Sequence, residues 1–169
     1  KQALEFSPTG LHLWDLRQAK KLVTNNDTSI EFLKVSKDGK QCASVSSSGE
    51  VTISSLPELK AEKSKALYVT PADFDYSFET QTFAIASAGK ASVTIGNVSS
   101  EDSPREIDIH RQATSIRFFS SARYLAVSTK DSRVIQIIDL QENRQALLGV
   151  PADSPISTME FSPDGSTAA

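Results

Sequence analysis

The sequence predicts an all-β fold assembled from one unit that recurs about every 42 residues. Three observations carry this. The segments LHLWDL (11–16), VTISSL (51–56), SVTIGNV (92–98) and VIQIIDL (134–140) superpose. Asp15, Ser55, Asn97 and Asp139 then fall in one column, with spacings of 40, 42 and 42 residues. An earlier column, Val35, Phe78, Phe119 and Phe161, has spacings of 43, 41 and 42. Finally, the segments alternate with a period of two and are rich in β-branched residues, which favours strands over helices.

Taken in order, the first unit (1–28) opens on ALEFSPTG, which aligns with the second strand of later units. Only nine residues separate Phe6 from Asp15, against twenty between Phe119 and Asp139, so FSPTG is expected to turn directly into LHLWDL. In the second unit (29–71), CASVSS and VTISSL are strands, and the charged stretch PELKAEKSKA (57–66) is expected as a loop or a short helix-like turn. The third unit (72–112) reads FDYSF, FAIAS, SVTIGNV and REIDIH. The fourth (113–152) reads TSIRFF, YLAVST, VIQIIDL and QALLGV, joined by SSAR, KDSR and QENR, polar connectors of the kind tight turns prefer. A fifth (153–169) begins with ISTMEFSPDGSTAA and stops inside its second strand. Several short strands per unit at this period are the mark of β-propeller blades. Three complete four-stranded blades are expected, flanked by partial first and last ones. Such a set cannot close a ring of the usual size, so a fragment of one propeller domain within a longer protein is expected; the alternative is a ring completed by a partner chain.

Composition narrows the function classes. A chain of 169 residues with 38% hydrophobic and 23% charged residues suits one soluble globular domain. The net charge of -3 argues against a nucleic-acid binder, and no apolar run approaches the length of a membrane helix. The opening KQALEFSPTG has no signal-peptide stretch, and a single cysteine, Cys42, fits a reducing compartment. A cytoplasmic protein is expected.

The units resemble WD40 repeats. EFSPDG (160–165) is similar to the turn between the first two strands of such a blade, LHLWDL to its third strand with Trp14 and Asp15 as the WD pair, and VIQIIDL to the same strand without the tryptophan. His110 precedes Phe119 by nine residues, as the histidine of the family's Gly-His pair precedes its first-strand aromatic. The resemblance implies a hydrogen-bonded set of histidine, Ser or Thr, aspartate and tryptophan within a blade. No unit here holds all four. The fourth offers His110, Ser128 and Asp131, with Ile138 in the indole's place, so a partial network is expected there, with Asp139 as the repeat aspartate. Trp14 is expected to fill space between blades. ASVSSSGEVTISS (43–55) and SPISTMEFSPDGSTAA (154–169) also resemble segments of the N-terminal propeller in the WD-repeat family that targets the gamma-tubulin ring complex.

No catalytic, cofactor or metal set is expected. Cys42 in a small-residue strand reads as a packing cysteine, and SVSSSGE (44–50) as a turn. Asp73 with Asp75, and Glu101 with Asp102, lack the alternating carboxylates and glycine of a calcium loop and read as solvated surface charge. Ser103 before Pro104 reads as a turn start and, alternatively, as a phosphorylation acceptor. Two basic segments, RQAKK (Lys20, Lys21) and KAEKSK (Lys60, Lys63, Lys65), occupy equivalent connections in adjacent units. They are candidate partner-facing loops for an acidic protein surface; the plainer reading is lysines that discourage edge pairing.

The expected function is a non-catalytic scaffold that binds proteins in a larger assembly. The resemblance implies gamma-tubulin ring complex components at a microtubule-organising centre, or another cytoskeletal or ciliary assembly. The alternative is a lactonase-like propeller enzyme or binding protein, because residues 132–165 also resemble the YVTN-type repeat.

Overall fold

A computed structural model describes residues 2–149, 154–162 and 167–168. Among them the regular structure is entirely β: fifteen strands form four antiparallel sheets, and there is no helix. The chain divides into two compact units, residues 1–69 and 70–169.

The first unit holds two sheets. Strands β1 (Gln2–Ser7), β2 (Gly10–Asp15) and β3 (Lys20–Asn25) form a three-stranded sheet in sequence order. Pro8 and Thr9 alone separate β1 from β2, as the short Phe6-to-Asp15 spacing predicts. Strands β4 (Ile30–Val35), β5 (Gln41–Ser46), β6 (Glu50–Ser55) and β7 (Lys60–Ala66) form the second sheet, also in sequence order. The β5–β6 turn needs Gly49: its φ is +83°, and a Cβ there would sit 2.4 Å from the Val69 carbonyl oxygen. Leu4, Leu13 and Val23 line up across β1, β2 and β3. They pack with Leu11, Ile30, Cys42 and Leu59 into the apolar cluster that joins these sheets.

The second unit repeats the plan. Strands β8 (Pro71–Ser77), β9 (Thr82–Ser87), β10 (Ser92–Asn97) and β11 (Arg105–Asp108) form one four-stranded sheet. Strands β12 (Ala113–Phe119), β13 (Tyr124–Thr129), β14 (Val134–Asp139) and β15 (Arg144–Gly149) form the next. Alternation along β13 and β14 gives this last sheet two apolar faces. Leu125, Val127 and Ile138 pack with Ile116 against Val93, Ile95 and Ile107 of the preceding sheet. Ala126, Ile135 and Ile137 on the opposite face take Ile156, Met159 and Phe161 from the segment that follows β15.

Two sequence expectations are corrected. PELKAEKSKA is neither loop nor helix: its Lys60–Ala66 portion is strand β7, paired along β6. Alternation was hidden there because a strand exposed on nearly every residue has no apolar face to display. The aromatic column also shifts. Val35 lies opposite Cys42, Tyr76 opposite Phe83, Phe118 opposite Leu125, and Phe161 bridges Ala168. Phe78 lies one residue beyond β8, its ring edge-on to Tyr76 at 4.8 Å. Neighbouring aromatics, Tyr76 with Phe78 and Phe118 with Phe119, let the column settle on the wrong residue in two of the four units. The fifth unit's SPDG turn extends into 163–166 and lies outside the described residues.

Candidate functional site

The Asp15 column survives intact. Asp15, Ser55, Asn97 and Asp139 are the last residues of β2, β6, β10 and β14. Their partners on the preceding strand are Gln2, Gln41, Thr82 and Tyr124, again at one level. The column works through its side-chain oxygens. Asp15 Oδ1 accepts the Arg17 N–H at 2.8 Å, Asn97 Oδ1 the Ser99 N–H at 2.7 Å, and Asp139 Oδ1 the Gln141 N–H at 2.9 Å. Each therefore folds the chain out of its strand in an Asx turn. At Ser55 the hydroxyl instead donates to the Lys60 carbonyl. Asp139 also binds Arg123 at 3.0 Å. The Glu142 N–H, with Arg123 adding to it, holds its carboxyl below the usual carboxylate range.

Trp14 departs from expectation. Its indole is half-buried on the surface of the first sheet, where Nε1 donates to Glu5 Oε2 at 2.6 Å and the Lys21 ammonium sits 5.2 Å from the ring centroid. The reason is facial. Leu11 and Leu13 point into the cluster shared with β4 to β7, and Trp14 belongs to the opposite face with His12. His12 is buried there, its two ring nitrogens taken by the hydroxyls of Thr9 (3.0 Å) and Thr24 (3.2 Å). It is therefore no partner for Cys42, which lies in the apolar cluster, where burial pushes the thiol up to about 11.

The partial network at His110, Ser128 and Asp131 does not form. His110 is exposed in the bend after β11, and Asp131 is exposed at a left-handed turn position with φ of 58°. Ser128 is buried and pairs with Thr114 at 2.9 Å. The carbonyls of Ile156, 3.2 Å from the Thr114 hydroxyl, and of Ser115, 3.5 Å from the Ser128 hydroxyl, flank the pair. Thr114 sits in a bulge of β12, between Ala113 and Ser115, that turns its side chain onto this face. A bulge leaves no mark in the repeat spacing, so the sequence did not reveal it.

The lysines lie on outer strands instead of loops. Lys20 and Lys21 begin β3, with Lys20 opposite Asp15; Lys60, Lys63 and Lys65 lie along β7, with Lys60 opposite Ser55. The two segments thus occupy matching register, and Glu62, between Lys60 and Lys63 on β7, is held by the Gln41 amide at 2.8 Å. Charged side chains along an outermost strand oppose edge-to-edge pairing with another chain.

The densest polar cluster is one the sequence reading assigned to the surface. Asp73 and Asp75 of β8 are both buried. Asp73 Oδ2 accepts the Ile116 N–H and the Arg117 Nη1, each at 2.8 Å, and Oδ1 accepts the Phe74 N–H. Asp75 Oδ2 accepts the Phe118 N–H at 2.7 Å. Arg117 Nε reaches onward to Glu160 at 2.9 Å. Burial works to lower the Arg117 pKa, but the facing carboxylates of Asp73 and Glu160 outweigh it and the net shift is upward. The cluster thus satisfies edge N–H groups of β12 and binds it to β8 on one side and to the 154–162 segment on the other. The signal was present in ADFDYS: two aspartates alternating with aromatics belong to one face of a strand, not to a loop.

Chemically, these groups clamp strands. Among the described residues no three His, Cys, Asp or Glu side chains gather as a metal site. No protein-family model matches the chain, and no curated protein matches it.

Proposed function

We propose that the chain is part of a WD40-type β-propeller that serves as a non-catalytic scaffold for protein assembly. The observation that carries this is the level at which Asp15, Ser55, Asn97 and Asp139 end the third strand of their units. A blade repeat requires such equivalence, and four-stranded antiparallel sheets spaced by about 42 residues are its expected product. Stacking of the β8–β11 sheet on the β12–β15 sheet, with β8 clamped to β12 by Asp73 and Asp75, is the packing expected of consecutive blades. A scaffold uses such a stiff frame to hold a few anchor side chains for a partner.

The candidate partner is the gamma-tubulin ring complex, on the resemblance carried by residues 43–55 and 154–169. Recruitment at a microtubule-organising centre would be the activity. The test is affinity purification of the intact protein, scored for gamma-tubulin and ring-complex subunits. Their reproducible enrichment is the expected result. Recovery of a different assembly without them overturns the assignment of partner, and turnover of a lactone by the purified protein overturns the non-catalytic reading.

A further inference from the structure

Ser103 and Pro104 lie between β10 and β11, in a connection whose role the strand framework does not absorb, and Arg105 opens β11. We propose that Ser103 is the acceptor for a proline-directed protein kinase, and that its phosphate draws Arg105 away from the neighbouring sheet. Neither step depends on the scaffold reading.

Access comes first. Ser103 is exposed and precedes β11 in a stretch without regular structure. Pro104 is half-buried beside Gly96, where a Cβ would come within 3.1 Å of Pro104 Cβ and 2.6 Å of the Phe83 ring. The proline is thereby seated, and the residue before it is biased to an extended backbone. The other Ser-Pro pairs differ. Ser7 is tied into the two-residue β1–β2 turn by bonds to Thr9 and Gly10, and the Ser162 hydroxyl donates to the Thr167 carbonyl. Ser154 is exposed as well, but Ile156 stands two residues on, where Ser103 has Arg105.

Arg105 supplies the consequence. Its Nη2 donates to the Leu140 carbonyl at 3.1 Å, a bond from β11 to the residue that follows β14 in the next sheet. At the other end of β11, Gln145 donates to the Asp108 carbonyl at 3.4 Å. Within residues 99–108 Arg105 is the only cation, among Glu101, Asp102, Glu106 and Asp108. A phosphate carries about -1.5 to -2 charge at neutral pH. It is a far stronger acceptor for a guanidinium than a neutral carbonyl. Arg105 stands two residues from Ser103, within the reach of a phosphate–guanidinium pair. In the transfer, Ser103 Oγ forms a bond to the γ-phosphorus of ATP while the bond from that phosphorus to the β–γ bridging oxygen breaks. ADP leaves, and the hydroxyl proton passes to the catalytic carboxylate of the kinase.

The test treats the intact protein, as wild type and as Ser154→Ala, with a proline-directed kinase and ATP and maps phosphate by mass spectrometry. Hydrogen exchange is then followed in peptides covering 105–108 and 139–145. Phosphate is expected on Ser103 at least ten-fold above Ser7, with several-fold faster exchange in both peptides. Arg105→Ala is expected to reproduce that exchange without phosphate, and phosphorylation of this variant to add nothing. Absence of phosphate at Ser103, or a phosphorylated protein with unchanged exchange, overturns the proposal.

Discussion

Asp73 Oδ2 accepts the backbone N–H of Ile116 at 2.8 Å, a bond between residues 43 positions apart and so one repeat apart. The same oxygen takes the Arg117 guanidinium. One carboxylate therefore satisfies both an edge amide and one side of a half-buried guanidinium of the following sheet. Removing it strips the Ile116 N–H of its acceptor and leaves Arg117 with Glu160 and the Ile116 carbonyl. Asp73→Ala is expected to cost about 1–3 kcal/mol, the penalty for leaving a buried donor without an acceptor. Asp73→Asn keeps an oxygen for the Ile116 N–H and is expected to cost less. Urea unfolding of both variants, with Arg117→Met and the double mutants, measures the coupling. Additive effects of Asp73→Ala and Arg117→Met would show that the pair does not act as a unit.

The Asp139 carboxyl, which accepts the Glu142 and Gln141 N–H groups and binds Arg123, is held below its ordinary range. A lowered folded-state pKa gives stability that is present above the unfolded value of about 4 and is lost as pH falls through the folded value. Thermal midpoints of wild type and Asp139→Asn are therefore expected to differ at pH 6 and to draw together progressively as pH falls below about 4. A gap that stays constant down to the acid limit would assign the effect to something other than ionisation.

Burial raises the Cys42 thiol to about 11. Only the thiolate attacks disulfides, so the native protein is expected to react with an aromatic disulfide reagent at pH 8 far more slowly than the same protein in denaturant. The sign for stability is opposite to that of Asp139. The unfolded thiol ionises first, so this contribution holds below about pH 9 and fades as pH rises toward 11. Rapid labelling of the folded protein at pH 8 contradicts this placement.

What the sequence made legible was whatever repeats with the strands. Asp15, Ser55, Asn97 and Asp139 end strands and cap turns, two roles that both demand a short polar side chain at a fixed level, so the column stands out. Asp73 and Asp75 were misread because a carboxylate is usually exposed. Their burial depends on N–H groups one repeat away that no local pattern displays. The Ser128 partnership was invisible for a related reason: the bulge at Thr114 decides it, and bulges change facing without changing the period. The lysines of β7 read as a loop in the sequence because a strand wet along its length shows no apolar stripe.

Trp14 and Ile138 hold the same register position, each immediately before the column aspartate, yet their surroundings differ. Ile138 is fully buried between the β8–β11 and β12–β15 sheets, while the Trp14 ring lies on the surface between Glu5 and Lys21. Core truncation of an isoleucine to alanine costs about 2–5 kcal/mol, because lost transfer energy and an unfilled cavity add. Losing one exposed indole hydrogen bond and one exposed cation–π contact costs roughly 1 kcal/mol or less each. Ile138→Ala is therefore expected to destabilise the protein several times more than Trp14→Phe, although tryptophan is the larger side chain and the family's hallmark. Chemical denaturation of the two variants, followed by circular dichroism because Trp14→Phe removes the only tryptophan, makes the comparison. Equal losses would mean that the Trp14 face is covered as closely as the Ile138 face, and that the indole packs against a neighbour after all.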